Sequence, residues 1–192
     1  MPRIEVQDLT ENDIPMIMDY WFHPDNQDYH EKRGLDLHSE GAEILKQQPA
    51  ILKKQIQIPV KDRKSTTAII VLDGKKVGHV LLNNIQDEQS RRMHFHMWRH
   101  HLPKQNLGAT TIILKQLIQE SLKYFFQEFN LSNITGDISQ SNKVALYVLS
   151  RAGFEPLTSV QASYLGQEGF YKRFTFRKED LKTSEQAYVS RY

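Results

Sequence analysis

The chain has 192 residues, of which 39% are hydrophobic and 25% charged, and these values fit one soluble globular domain. Its formal net charge of +2 is too small to argue for nucleic acid or a membrane surface as a partner. The lack of cysteine excludes disulfides, thiolate nucleophiles and cysteine zinc sites. Because no apolar stretch has the length of a signal region or a membrane span, the expected location is cytoplasmic.

In chain order, the first patterns predict a strand followed by a helix. Residues 3–8 alternate between apolar and polar positions, as a strand does. Thr10 and Asp13 then have the spacing of a capping box, which opens a helix. The apolar face of that helix carries Ile14, Ile17, Met18 and Trp21.

The next patterns predict an irregular segment, a broken helix and a hairpin. Residues 23–38 begin with turn-forming residues and are expected to be irregular, with His23, His30 and His38 on the surface. A helical stretch at 42–58 restarts at Pro49. Asp73-Gly74 is a strong hairpin signal between strands at 66–72 and 76–84.

The second half alternates strands and helices. We expect a strand at 94–99, a helix at 109–126, a strand at 132–138, a helix at 142–151, a strand after Gly153-Phe154, a last strand at 170–177 and a polar tail from Lys178. This order is that of a mixed α/β domain. The passage through residues 92–138 further implies two parallel neighbouring strands joined by a helical crossover.

A short segment of small and polar residues, Gln105-Asn106-Leu107-Gly108-Ala109-Thr110, enters the longest predicted helix. The first N–H groups of a helix have no partner within the helix, and the helix dipole adds partial positive charge at that end. The segment therefore predicts an anion site that suits a diphosphate.

Two motifs resemble those of the GNAT superfamily of acetyl-coenzyme A-dependent N-acetyltransferases. The segment 105–110 fits the pyrophosphate motif Gln/Arg-x-x-Gly-x-Gly/Ala, except that Thr110 replaces Gly or Ala. A second signature fits at Asn142, Ala145, Gly153 and Phe154. The resemblance implies the GNAT acyl-CoA N-acyltransferase fold, with a mixed sheet of about seven strands and about four helices.

The resemblance also implies how a single domain, residues 1–192, is organised. Residues 1–65 would form the acceptor side, 66–154 the coenzyme-binding core, 155–177 the C-terminal strands and 178–192 a tail. Acetyl-CoA would be the co-substrate, with no metal. The coenzyme-binding residues implied are Met97, Trp98, Arg99, Gln105, Asn106, Leu107, Gly108, Ala109, Thr110 and Asn142.

In the reaction that the resemblance implies, the pantetheine arm lies between the strands at 94–99 and 132–138. A primary amine attacks the thioester directly, and a backbone N–H near Met97 or Trp98 polarises the carbonyl oxygen. Many family members carry a tyrosine that protonates the leaving thiolate at the position of Leu149. Tyr147 is about 200° away around a helix, so the general acid is unassigned.

His94 and His96 are the candidate catalytic residues, as a base or a water relay. They alternate on one strand and share one face, and histidine titrates near neutral pH. Two alternatives stay open: one or both are hydrogen-bonded residues of the sheet, or, with His100 and His101, they bind a metal.

The sequence leaves the acetyl acceptor open between a small-molecule amine and a protein N-terminus. Candidate pocket residues are Asp19, Tyr20, Trp21, Phe22, Asp28 and Tyr29. The alternative functions are a catalytically weak acetyl-CoA-binding sensor or interaction module and an unrelated nucleotide-binding α/β domain. The resemblance also implies a possible homodimer.

Overall fold

A computed structural model describes residues 2–31, 37–38, 42–85, 91–98, 107–151, 154, 156–164, 167–179 and 181, with backbone alone at 107–110, 151 and 167. Arg99, Gln105, Asn106 and Gly153 lie outside these residues. Within the described ranges, no helix combines the length and the apolar character that crossing a membrane requires.

The described residues form seven strands and six α-helices. The strands are β1 Ile4–Asp8, β2 Thr66–Leu72, β3 Lys75–Asn83, β4 Arg92–Met97, β5 Asn133–Ser139, β6 Thr158–Tyr164 and β7 Gln167–Arg177. The helices are α1 Ile14–Phe22, α2 Gln27–Glu31, α3 Glu43–Lys46, α4 Gln48–Ile56, α5 Leu107–Glu128 and α6 Lys143–Arg151. The expected mixed α/β class and the strand number are confirmed.

All seven strands belong to one sheet, in the order β1-β2-β3-β4-β5-β7-β6. Each neighbouring pair is antiparallel except β4 and β5, which are parallel and are joined through α5. The parallel neighbours expected from the passage through residues 92–138 are therefore confirmed.

The sheet has an apolar core on each face, and alternation along the strands sorts residues between them. Strand side chains of one set, including Val80, Met93 and Ile134, pack with α5 and α6, where Leu117 is part of the same core. The other set packs with α1 and α4, including Ile69 and Trp98. In β4 the odd positions therefore face α5 and the even positions face α1.

Two local signals in the first half are confirmed. Thr10 and Asp13 form the capping box, with the Thr10 N–H donating to Asp13 Oδ2 at 2.9 Å. Asp73 and Gly74 have φ of 49° and 77°, the left-handed values that a tight hairpin of this type requires. In both cases residues that are close together in the sequence determine the local structure.

The expectation that residues 23–38 are irregular is wrong for 24–31. Pro24–Asn26 forms a 3₁₀ turn, and α2 follows. Asn26 Nδ2 donates to the carbonyl oxygens of Asp19 and Tyr20, at 3.3 and 3.2 Å, and so satisfies the end of α1. His30, expected on the surface, is 0% exposed, and its Nε2 lies 2.8 Å from the Tyr20 carbonyl oxygen.

Candidate functional site

The two edges of β4 differ in their pairing. On one side β4 pairs with β3 over six positions, from Arg92↔Asn83 to Met97↔Gly78. On the other side it pairs with β5 at one position, Arg92↔Thr135. The Thr135 N–H and Oγ1 both donate to the Arg91 carbonyl oxygen, at 3.2 and 2.6 Å, and fix this end. Beyond it the strands diverge, and we call the space between them the gap.

The phase of the β3–β4 ladder decides which backbone groups of β4 face the gap. The Trp98 N–H donates to the Val77 carbonyl oxygen at 2.8 Å, so the backbone groups of even residues in β4 point towards β3. The N–H and C=O groups of Phe95 and Met97 therefore point towards β5. In β5, the Thr135 N–H donates to the Arg91 carbonyl oxygen. Because backbone groups alternate in direction along a strand, the N–H and C=O groups of Asp137 and Ser139 also point towards β4.

Met97 and Trp98 consequently have different environments. The Met97 carbonyl oxygen accepts a hydrogen bond from the Tyr29 hydroxyl at 3.4 Å, on the gap side. The Trp98 amide is bonded within the β3–β4 ladder, and its buried indole Nε1 donates to His79 Nδ1 at 3.0 Å. Of the two expected donors to the thioester carbonyl, Met97 is the one whose N–H faces the gap.

Two helices begin beyond the carboxyl ends of β4 and β5. Residues 107–110 form the first turn of α5, so their N–H groups have no acceptor within the helix. Asn142 precedes α6, and its Oδ1 accepts from the Ala145 N–H at 3.1 Å, which is a helix cap. The gap therefore opens towards two helix N-termini, whose dipoles favour negative charge there.

His96 lies in a buried aromatic cluster beneath α1. It is 8% exposed, and its ring stacks on that of His79 with centroids 4.7 Å apart. Its Nδ1 lies 3.4 Å from the Tyr20 hydroxyl oxygen. Burial lowers the pKa of His79 to about 3, so the His79 imidazole that stacks on His96 is neutral near pH 7. His96 shares a face with His94, as predicted, but is covered.

His94 is half-buried and stacks on Tyr164 of β6, with ring centroids 5.1 Å apart. Burial, with a smaller contribution from Arg92, lowers the pKa of His94 to about 4. Burial also raises the pKa of Tyr164 well above its usual value. Both side chains are therefore neutral near pH 7, and the C-terminal hairpin extends to the face of β4 that carries His94.

A buried carboxylate that the sequence did not predict lies beside the gap. The Asp137 side chain is 8% exposed, and it accepts from Arg173 Nε and Nη2 at 2.7 and 2.8 Å. Arg92 Nη1 lies 3.7 Å from the same carboxylate. The alternation of β5 and β7 was the available signal, but only the pairing register brings Asp137 and Arg173 together.

The remaining candidates divide between core and surface. Leu149 is 3% exposed and Tyr147 is 43% exposed, so Tyr147 faces away from the core, as predicted. Of the pocket candidates, Tyr20 and Trp21 are core residues, Phe22 is exposed, and Tyr29 reaches Met97. Asp19 and Asp28 are exposed. The described residues contain no group of three His, Asp or Glu arranged to hold a metal.

No protein-family model matches the chain, and no curated protein matches it in sequence. Solved structures do match. A spermidine N-acetyltransferase from Vibrio cholerae in complex with CoA and spermine has a TM-score of 0.66 at 16% identity, over 93% of this chain and 98% of that chain. A ribosomal-protein-S5-alanine acetyltransferase from Vibrio fischeri has 0.67 at 15%, over 93% and 94%. An aminoglycoside acetyltransferase in complex with coenzyme A has 0.64 at 16%, over 95% and 99%.

Proposed function

We propose that this chain, which has the fold of the GNAT N-acetyltransferases, transfers an acetyl group from acetyl-CoA to a primary amine within a ternary complex. In this reaction the amine nitrogen bonds to the acetyl carbon while the carbon–sulfur bond breaks. The amine loses a proton and the departing thiolate gains one. We assign coenzyme binding to residues 66–154, acceptor binding to residues 1–65 with β6 and β7, and the protein to the cytoplasm.

The observation that carries the proposal is the gap. Backbone N–H and C=O groups inside a sheet are normally paired, and leaving them unpaired away from water is costly. Beyond Arg92, β4 and β5 form no ladder within the described residues. The pantetheine arm carries two amides, so it suits an edge at which Phe95 and Met97 on one side face Asp137 and Ser139 on the other.

The helix termini beyond the gap suit the phosphates of the same ligand. The backbone N–H groups of residues 107–110 in the first turn of α5 are available to a diphosphate. The coenzyme supplies the activated acetyl thioester. With its phosphates at α5 and its arm in the gap, the thioester would lie beside the gap-facing N–H groups of Met97 and Phe95, and His94 is the next residue towards the paired end.

The two histidines receive different roles in the proposal. His96 is covered by Tyr20 and stays a residue of the sheet. His94 lines the acceptor side of the gap, but with a pKa of about 4 it is too weak a base to hold the proton of an alkylammonium ion. We therefore assign His94 as a relay that passes the amine proton to water.

The first experiment measures coenzyme binding. We expect Gly108→Trp, in the first turn of α5, to abolish the thermal stabilisation that acetyl-CoA gives the wild-type protein. Gln127→Trp is the matched control, because it is exposed on the same helix and about 28 Å further along its axis. Unchanged stabilisation in Gly108→Trp would refute the site, and stabilisation by ATP or NAD instead would indicate another nucleotide-binding function.

The second experiment measures the release of free coenzyme A thiol from acetyl-CoA over a panel of primary amines. Turnover with any of them supports the enzyme. The competing function is an acetyl-CoA sensor, which Leu149 favours because this buried leucine supplies no proton donor for the leaving thiolate. Tight binding of acetyl-CoA without thiol release from any amine would therefore identify an acetyl-CoA sensor and overturn the transferase proposal.

A further inference from the structure

Side chains from four strands meet on the α1 face of the sheet, beside the paired end of the gap. We call them the arginine–tyrosine cluster: Arg92, His94, Asp137, Tyr164, Tyr171 and Arg173. All six lie on one face of the sheet, because paired residues share a face and every second residue of a strand does too. Asp137 pairs with Arg173, and Val160, four residues before Tyr164, pairs with Tyr171. Arg92 pairs with Thr135, two residues before Asp137, and His94 follows two residues after Arg92. This is the face from which an acceptor would approach.

The charges within the cluster do not balance. Arg173 forms a two-point hydrogen-bonded pair with Asp137, which occupies both carboxylate oxygens. Arg92 is 3.7 Å from that carboxylate, beyond hydrogen-bond distance, and its side chain is 39% exposed. Two guanidinium groups and one carboxylate, with a neutral His94, leave a net charge of +1. The Arg92 guanidinium makes no hydrogen bond to the described residues.

The two tyrosines add hydrogen-bond donors. Neither the Tyr164 nor the Tyr171 hydroxyl has a partner in the described part of the chain. Burial raises the pKa of both phenols, and Asp137 adds to the effect on Tyr171, so both keep their protons. The Tyr171 ring lies against Gly169, where a Cβ would come within 3.2 Å of a ring carbon, so the glycine leaves room for the ring in this place.

The position of Arg92 and the net charge of the arginine–tyrosine cluster together indicate the class of ligand. Arg92 occupies the last paired position of β4, so its guanidinium stands at the closed end of the gap. A net charge of +1 matches a carboxylate, whereas a phosphate monoester carries about −1.5 to −2 and a polyamine is repelled. We propose that the cluster binds a carboxylate of the acceptor, so that the acetylated amine is an amino acid or a related amine with a free carboxylate. This inference rests on the proposed function.

The test compares matched acceptors in the thiol-release assay. The probes are glycine, β-alanine, 4-aminobutyrate and 6-aminohexanoate, each measured against its own primary amide, with spermidine as a cationic reference. We expect kcat/KM to favour the carboxylate by about tenfold or more for at least one chain length, as a charge-assisted hydrogen bond provides. Arg92→Gln should reduce this ratio towards one, and Arg92→Lys should restore part of it.

Arg177→Gln is the control, since it removes the same charge from the same face of β7 and lies away from Asp137. It should leave the ratio unchanged. A preference for the amides or for spermidine, or an equal effect of Arg92→Gln on both members of each pair, would overturn the carboxylate site and leave the transferase proposal standing.

A binding measurement separates the two proposals if no amine is turned over. Calorimetry with the N-acetyl derivatives of the same probes, in the presence of coenzyme A, requires no chemistry. We expect the acetylated carboxylate to bind at least about tenfold more tightly than its amide, and Arg92→Gln to remove the difference. Equal affinities for the two would refute the site whatever the outcome of the activity assay.

Discussion

The two edges of β4 are made by the same six residues and have opposite structures. Towards β3, every position from Arg92 to Met97 is paired, and Trp98 extends the ladder by one more bond. Towards β5, pairing stops after Arg92. A weak strand-forming sequence therefore does not explain the gap, because the same backbone pairs well on its other side. We attribute it to a ligand that completes the open edge.

A substitution at the paired edge of β4 should destabilise the protein most. Gly78 lies opposite Met97, and a Cβ on it would come within 2.5 Å of the His96 carbonyl oxygen, which is backbone and cannot rotate away. We expect Gly78→Ala to lower the free energy of unfolding by about 3 kcal/mol because β4 must shift. Urea denaturation measures this.

Gly169→Ala is the control for that substitution, because its nearest neighbour is the side chain of Tyr171, which can move. We expect it to cost clearly less. If the two alanine variants were equally stable, the close fit of β4 on β3 would not be the reason for a glycine at position 78.

A smaller loss of stability should follow from a change at Asp137, near the paired end of the gap. Asp137→Asn keeps the shape of the side chain but leaves Arg173 without its anion, and we expect a loss of about 2 kcal/mol. Glu43→Gln, which breaks an exposed pair with Lys46, should cost less than about 0.5 kcal/mol. A loss in Asp137→Asn as small as in the control would show that this ion pair does not hold β5 to β7 beside the gap.

The buried His79, on the α1 face of the sheet, predicts that the folded protein loses stability in acid. Burial lowers the pKa of His79 to about 3, whereas an unfolded histidine titrates near pH 6.5, so the unfolded chain binds more protons between these values. The stabilisation is therefore complete above about pH 6.5 and falls by about 1.4 kcal/mol per pH unit for this group below it.

His79→Gln, which keeps an acceptor for the Trp98 indole, should remove about 2 kcal/mol of the stability difference between pH 7 and pH 5. The exposed His23→Gln is the control. Unfolding curves at both pH values give the comparison, and a pH difference as large in His79→Gln as in the wild type would mean that His79 is not held neutral.

Local patterns in the sequence predicted most of the secondary structure. The hairpin at Asp73-Gly74, the capping box at Thr10 and the restart at Pro49 each depend on residues a few positions apart, so short-range chemistry determines them. The five-residue helix α2 was missed because its stability comes from buried contacts of Asn26 and His30 with α1, which no local periodicity shows.

The site was less predictable, for a physical reason. Alternation placed His94 and His96 on one face correctly, but their environments come from Tyr164 and Tyr20, which are distant in the sequence. The gap exists because β4 and β5, which are joined by a long crossover, do not pair beyond Arg92. The resemblance to a known family predicted it, and no pattern within β4 or β5 did.

The most direct test of the open edge is amide hydrogen exchange along β4, residue by residue, with and without acetyl-CoA. We expect the amides of His94 and His96, which are bonded to β3, to be protected in both states. Phe95 and Met97 should exchange about a hundredfold faster without the ligand and become protected when it binds. Equal protection of all four amides in the free protein, or no change at Phe95 and Met97 with saturating acetyl-CoA, would contradict the claim that the ligand completes this edge.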